Sequence, residues 1–174
     1  MPYTETPGFR MRYGTHGSGD PLLLINGLGS DSSEWLFQLP GFARRFRVIV
    51  FDNRGTGGSE TPRGPYSTGQ MADDAAALLA HLGIDRAHAL GVSLGGMIAQ
   101  EVALRHPHRV RRLVLACTAP GGEGSVRPDP EVLQAFVRSP GGDPEEEIRR
   151  GIPFLYSERY RQDHPEKIEE FVRR

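Results

Sequence analysis

Short strand-like runs separated by helix-length segments limit what this chain can fold into. Residues 22–25 (LLLI) form a continuous apolar run, the mark of a strand buried on both faces. Residues 47–51 (RVIVF), 87–92 (AHALGV) and 110–117 (VRRLVLAC) read as further strands. Between them the spacing turns helical. Met71, Ala75, Leu78, Leu79 and Leu82 fall at i, i+4, i+7, i+8 and i+11, one face of a helix. Ser67-x-x-Gln70 resembles a capping box ahead of that helix, and Gly83 suits its C-terminal end. Residues 94–105 read as a second helix, ended at His106-Pro107. Ser32 or Ser33 is expected to cap a short helix carrying Trp35, Leu36 and Leu39, stopped by Pro40-Gly41. Upstream, residues 3–6, Pro7-Gly8 and 9–15 read as strand, turn and strand, followed by a turn over 16–21. Strands alternating with helices imply crossover connections, hence an α/β fold with a mostly parallel sheet and helices on both faces.

Composition narrows the function. The chain has 174 residues, 37% hydrophobic and 25% charged, with a net charge of −1, which suits a soluble globular protein. No stripe of Lys and Arg alternates with aromatics, so no nucleic-acid partner is expected. No basic segment with an apolar core opens the chain, and no apolar run nears the roughly 20 residues of a membrane span, so neither a signal peptide nor a membrane partner is expected. Cys117 is the one cysteine and has no partner for an internal disulfide, which points to the cytoplasm. After Thr118 the character changes. Glycines and prolines, Pro140 among them, punctuate charged helix-like pieces such as DPEEEIRR and PEKIEEFVRR. The expected division is a core over 1–120 and a helical part over 121–174.

The chemistry centres on GVSLGG, residues 91–96. A serine hydroxyl is a poor nucleophile unless a base takes its proton and donors await the oxyanion. A sharp turn from strand to helix projects Ser93 out of the sheet and crowds its neighbours, so the residues two before and two after must be small. Gly91 and Gly95 meet that need, as in the G-x-S-x-G nucleophile elbow. The bland alternative makes Ser93 an ordinary helix N-cap.

Four segments, in order, carry a wider likeness: LLLINGLG (22–29), FDNRGTGGS (51–59), GVSLGG (91–96) and HPHRVRRLVLACTAP (106–120). With them the chain resembles the α/β-hydrolase superfamily over about residues 8–120, in its serine hydrolase branch. From GPYSTGQMADD to GVSLGGMIAQEVA it is similar to 3-oxoadipate enol-lactonases and related small esterases. The resemblance implies a Ser–acid–His triad on an eight-stranded sheet, with 121–174 as the start of a helical cap. It implies that Ser93 is the nucleophile and that the backbone N–H groups of Leu28 and Leu94 form the oxyanion hole. Asn26 stands where the family usually has histidine. The implied activity is cleavage of a small-molecule carboxylic ester or lactone through an acyl-serine. Haloalkane dehalogenases and epoxide hydrolases generally place Asp at the position of Ser93, which disfavours them.

Other candidates take structural readings. Asp52, Arg54 and Gly57 are expected to pin a tight turn, because the triad order puts the acid after the serine. His106 lies roughly 20 Å along the helix from Ser93, and His88 about 16 Å back along the strand. His16, His81, His108 and His164 read as solvated or packing residues. The sequence therefore reads as the first two-thirds of such a hydrolase, with no acid or base assigned. Residues 110–117 would then form an uncovered sheet edge, through which copies of the chain are expected to associate. A catalytically inactive binding protein is the alternative. Gly27-Leu28-Gly29 continues to Ser32 where a dinucleotide fingerprint needs glycine, and no metal-ligand spacing occurs, so no cofactor and no metal are expected.

Overall fold

The computed structural model describes residues 1–6, 8–136 and 141–173. Pro7 of the expected first turn, Pro140 and Arg174 lie outside the described residues. The chain forms two compact units, Met1–Ser125 and Val126–Arg174.

The first unit is built on six strands: β1 (Tyr3–Thr6), β2 (Phe9–His16), β3 (Asp20–Ile25), β4 (Phe46–Phe51), β5 (Ala87–Val92) and β6 (Val110–Ala116). Their order is β1-β2-β4-β3-β5-β6. β1, β2 and β4 pair antiparallel, and β4, β3, β5 and β6 run parallel. β3, the apolar run, is central, hydrogen-bonded to β4 on one side and β5 on the other. β6 lies at the edge, with Val114 and Leu115 exposed.

Alternate residues of the central strands serve opposite faces. Leu23, Ile25, Ile49 and Phe51 pack with Ala75, Leu78 and Leu79 of α2 (Thr68–His81) and with Ile98 and Val102 of α3 (Leu94–Arg105). Leu22, Leu24, Val48 and Val50 pack on the other face with Trp35 and with Leu39 and Phe42 of the single-turn α1 (Leu39–Phe42). The sheet is thus mostly parallel with helices on both faces.

The helix ends follow their local chemistry. Ser67 Oγ accepts from Gln70 N at 3.1 Å, and Gln70 Oε1 accepts from Ser67 N at 3.0 Å, completing the capping box. Ser67→Ala should lower stability by about 1 kcal/mol, seen as a lower urea midpoint at unchanged slope. Gly83, at φ 65, follows the C-cap Leu82. Two expectations are corrected. The short element after β3 is a 3₁₀ turn over Ser32–Trp35 capped by Asp31, whose carboxylate accepts from Ser33 N at 2.8 Å. Ser32 is instead the first residue of that turn, and its N–H donates to Asp52 Oδ1 at 2.8 Å. Pro40 does not stop a helix but sits in the first turn of α1, where its missing N–H has no carbonyl to meet.

The second unit holds α4 (Pro130–Phe136), α5 (Pro144–Leu155), α6 (Glu158–Asp163) and α7 (Pro165–Val172). Ile152, Ile168 and Val172 form its small core. Arg149 on α5 bonds Glu145 of its own helix and Glu169 of α7. Among the described residues, no helix is long and apolar enough to cross a membrane.

Candidate active site at the β5–α3 turn

Ser93 occupies the single residue between β5 and α3, at φ 54 and ψ −122. A positive φ is uncommon for a residue with a Cβ, and such strain, of order 1–3 kcal/mol, persists only where the surroundings over-determine it. Here they do. Ser93 N donates to Ala116 O of β6 at 3.0 Å, while Ser93 O accepts from Gly96 N at 2.9 Å and Met97 N at 3.3 Å. Ser93 stands at the N-cap position, yet its side chain makes no capping bond, and the residue is exposed. The ordinary N-cap reading therefore fails, and the hydroxyl is left for other work.

The flanking glycines are required by close approach. A Cβ on Gly95 would lie 2.1 Å from Ile25 O, and one on Gly91 would lie 2.1 Å from Gly95 O. The turn can thus nest against the end of β3 only if both stay bare.

The loop after β3 comes up beside the serine. A Cβ on Gly27 would be 3.5 Å from Ser93 Cβ and 4.0 Å from its Oγ. The next residue, Leu28, is 72% exposed, within a turn closed by Ser30 N donating to Gly27 O. Leu94 opens α3, so its N–H has no carbonyl four residues back in the helix to bond. The root of the loop is fixed by Asn26, a buried residue. The Trp35 indole N–H donates to its Oδ1, and Asn53 Nδ2 donates to its backbone carbonyl at 3.4 Å. Sequence reasoning missed the Trp35 bond, because no local pattern signals an indole reaching back to a strand end.

The other candidates lie elsewhere in the architecture. Asp52 is fully buried and accepts from Ser32 N and Gly58 N, each at 2.8 Å, and from Arg12 Nη1 at 3.4 Å. Gly57 packs so closely on that carboxylate that a Cβ would lie 2.4 Å from Asp52 Oδ2. Arg54 does more than pin its own turn. It makes a two-pronged pair with Asp74 of α2 at 2.7 and 2.8 Å, with its guanidinium over the rings of Phe9 and Tyr66. Burial pushes the Asp74 carboxyl up, and Arg54 opposes that shift.

Several histidines have side-chain partners of their own. His106, at the far end of α3, meets Asp73 at 2.8 Å, and Arg105 on the same carboxylate holds Asp73 below the usual carboxyl range. His88, the second residue of β5, lies edge-on to Phe46, His81 meets Tyr13 Oη, and His108 lies edge-on to His106. His16 ends β2, and His164 lies in the second unit between α6 and α7. Among the described residues, the hydrogen bonds of Ser93 run through its backbone, and no cluster of His, Cys, Asp and Glu is placed to hold a metal.

Residues 20–150 match the sequence model of the alpha/beta hydrolase fold. The chain belongs to this family. Among its relatives is "Putative carbamate hydrolase RutD" of Azorhizobium caulinodans, 35% identical over 170 residues, covering 98% of this chain and 63% of that protein. The 3-oxoadipate enol-lactonase 2 of Acinetobacter baylyi is 40% identical over 111 residues, covering 63% of this chain and 42% of the lactonase. The solved structure of Est816, described as an N-acyl homoserine lactone degrading enzyme, is 31% identical with a TM-score of 0.78, covering 98% of this chain and 64% of Est816. This alpha/beta hydrolase fold chain thus spans less than two thirds of the length of these relatives.

Proposed function

We propose that the protein hydrolyses a small carboxylic ester or lactone through an acyl-Ser93 intermediate. The observation that carries this reading is the exposed Ser93 at φ 54, uncapped at the mouth of a helix and flanked by glycines that cannot bear a side chain. The relatives whose names specify an enol-lactonase and a lactone-degrading enzyme support the substrate class.

The chemistry runs in two halves. Ser93 Oγ attacks the carbonyl carbon as a general base takes its proton, and the carbonyl oxygen becomes an oxyanion. The N–H groups of Leu28 and Leu94 donate to that oxygen, and the positive end of α3 adds to the stabilisation. The intermediate collapses to acyl-Ser93, and the proton returns to the departing alkoxide. In a lactone that alkoxide stays tethered to the acyl group. Water then attacks the ester carbonyl and frees Ser93. No histidine or acid of this chain is assigned to the proton transfers.

Turnover of p-nitrophenyl acetate and of γ-lactones is the test. Ser93→Ala should reduce it by more than about 1,000-fold. A second reading, a binding protein without turnover, draws on His106: the histidine at the end of the elbow's own helix is committed to Asp73. Lactone binding that is equally tight in both proteins, with hydrolysis in neither, would favour it.

A further inference from the structure

We infer that Thr118 is a positioning residue for the nucleophile, acting by clamping the strained backbone of Ser93 from the exit of the edge strand. The inference rests on Ser93 being the nucleophile. β5 and β6 run parallel with Val92 opposite Ala116, so Ser93 and Cys117 leave adjacent strand ends together. Cys117 takes a φ of 49 there, and Thr118 follows. Thr118 Oγ1 donates to Ser93 O at 2.7 Å. That carbonyl also receives Gly96 N and Met97 N, the first hydrogen bonds of α3. The two backbone groups of Ser93 are therefore both tied to the β6 exit, the N–H through Ala116 O and the carbonyl through the Thr118 hydroxyl.

Packing fixes Thr118 in that place. A Cβ on Gly96 would lie 2.6 Å from Thr118 Cβ and Cγ2, so α3 keeps a bare backbone face against this side chain. One helical turn further, Gln100 Nε2 donates to Ala119 O at 3.1 Å and to Gly96 O at 3.2 Å, holding the same segment against the helix. Rotation of the Ser93 peptide toward relaxed dihedrals would swing its carbonyl away from the Thr118 hydroxyl. The clamp thus opposes the motion that would lower Oγ out of its projecting position and shift the neighbouring Leu94 N–H.

Thr118→Val and Thr118→Ser separate the hydroxyl from the packing. The first readout is the rate of covalent labelling of Ser93 by a fluorophosphonate. The second is amide hydrogen exchange at Gly96 and Met97, which needs no catalysis. One hydrogen bond predicts labelling about 3- to 10-fold slower in Thr118→Val, exchange at those two amides faster by a similar factor, and Thr118→Ser within twofold of the original in both. Labelling and exchange unchanged in Thr118→Val would overturn the inference. So would Thr118→Ser slowing labelling and speeding exchange by about threefold or more relative to the original protein, because the methyl and not the hydroxyl would then matter; this arm holds even if the valine variant fails to fold. If the unmodified protein takes no label, the acyl-serine reading fails and the exchange comparison alone decides the clamp: faster exchange in Thr118→Val supports it, unchanged exchange overturns it.

Discussion

Gly95→Ala should cost the first unit about 3 kcal/mol or more, at the upper end of what overpacking does. The added Cβ would sit 2.1 Å from Ile25 O and 2.6 Å from Asn26 O. Both obstacles are backbone atoms at the end of β3. That strand is bonded on one side to β4 and on the other to β5, so it cannot withdraw without breaking two ladders. The helix must move instead, which pulls its first turn and the serine away from the sheet. Gly41→Ala is the control: its Cβ would meet nothing within 4 Å, and it should change stability by no more than about 0.5 kcal/mol. Urea unfolding of the two variants measures the difference. A loss below about 1 kcal/mol for Gly95→Ala would show that the elbow tolerates a side chain there, and the close-approach argument would fall.

Arg54→Leu should destabilise by about 3–5 kcal/mol near neutral pH, because it strands a buried carboxylate. The pair is almost dry, with side-chain exposures of 10% for Arg54 and 5% for Asp74. Burial already pushes the Asp74 carboxyl above its ordinary range, and loss of the arginine removes the group that opposes the shift. The sign of the pH dependence follows. Between the unfolded carboxyl pKa and the raised folded one, the folded state holds the extra proton. The variant is therefore most stable in acid and loses stability as pH rises across that window. Arg54→Leu with Asp74→Leu should recover most of the loss, since no charge remains to be buried. Stability curves against pH for the single and double variants test this. A single variant with a pH-independent loss would mean that its deficit comes from lost packing on Phe9 and Tyr66, not from the stranded charge.

What was legible in the sequence was local. α3 runs over Leu94–Arg105 as read, because its start is set by the turn at Ser93 and its end by the break at His106-Pro107. The capping box of α2 is legible because both partners lie within one helical turn. Ser93 stands out for the same reason, since the glycines its geometry needs are two residues away on each side. What escaped was long-range. Local sequence places Arg54 in its own turn, but its partner Asp74 lies 20 residues on and is met only after α2 packs. Thr118 lies 25 residues beyond the serine and reaches it only once β6 is laid beside β5. The insertion of β3 between β4 and β5 also has no local signature.

The most direct measurement treats the protein as its gene encodes it with a fluorophosphonate, then locates the adduct by peptide mass mapping. One adduct on the peptide containing Ser93, lost in Ser93→Ala, is the expected result. No adduct, or one that persists in Ser93→Ala, would contradict the assignment of Ser93 as the nucleophile.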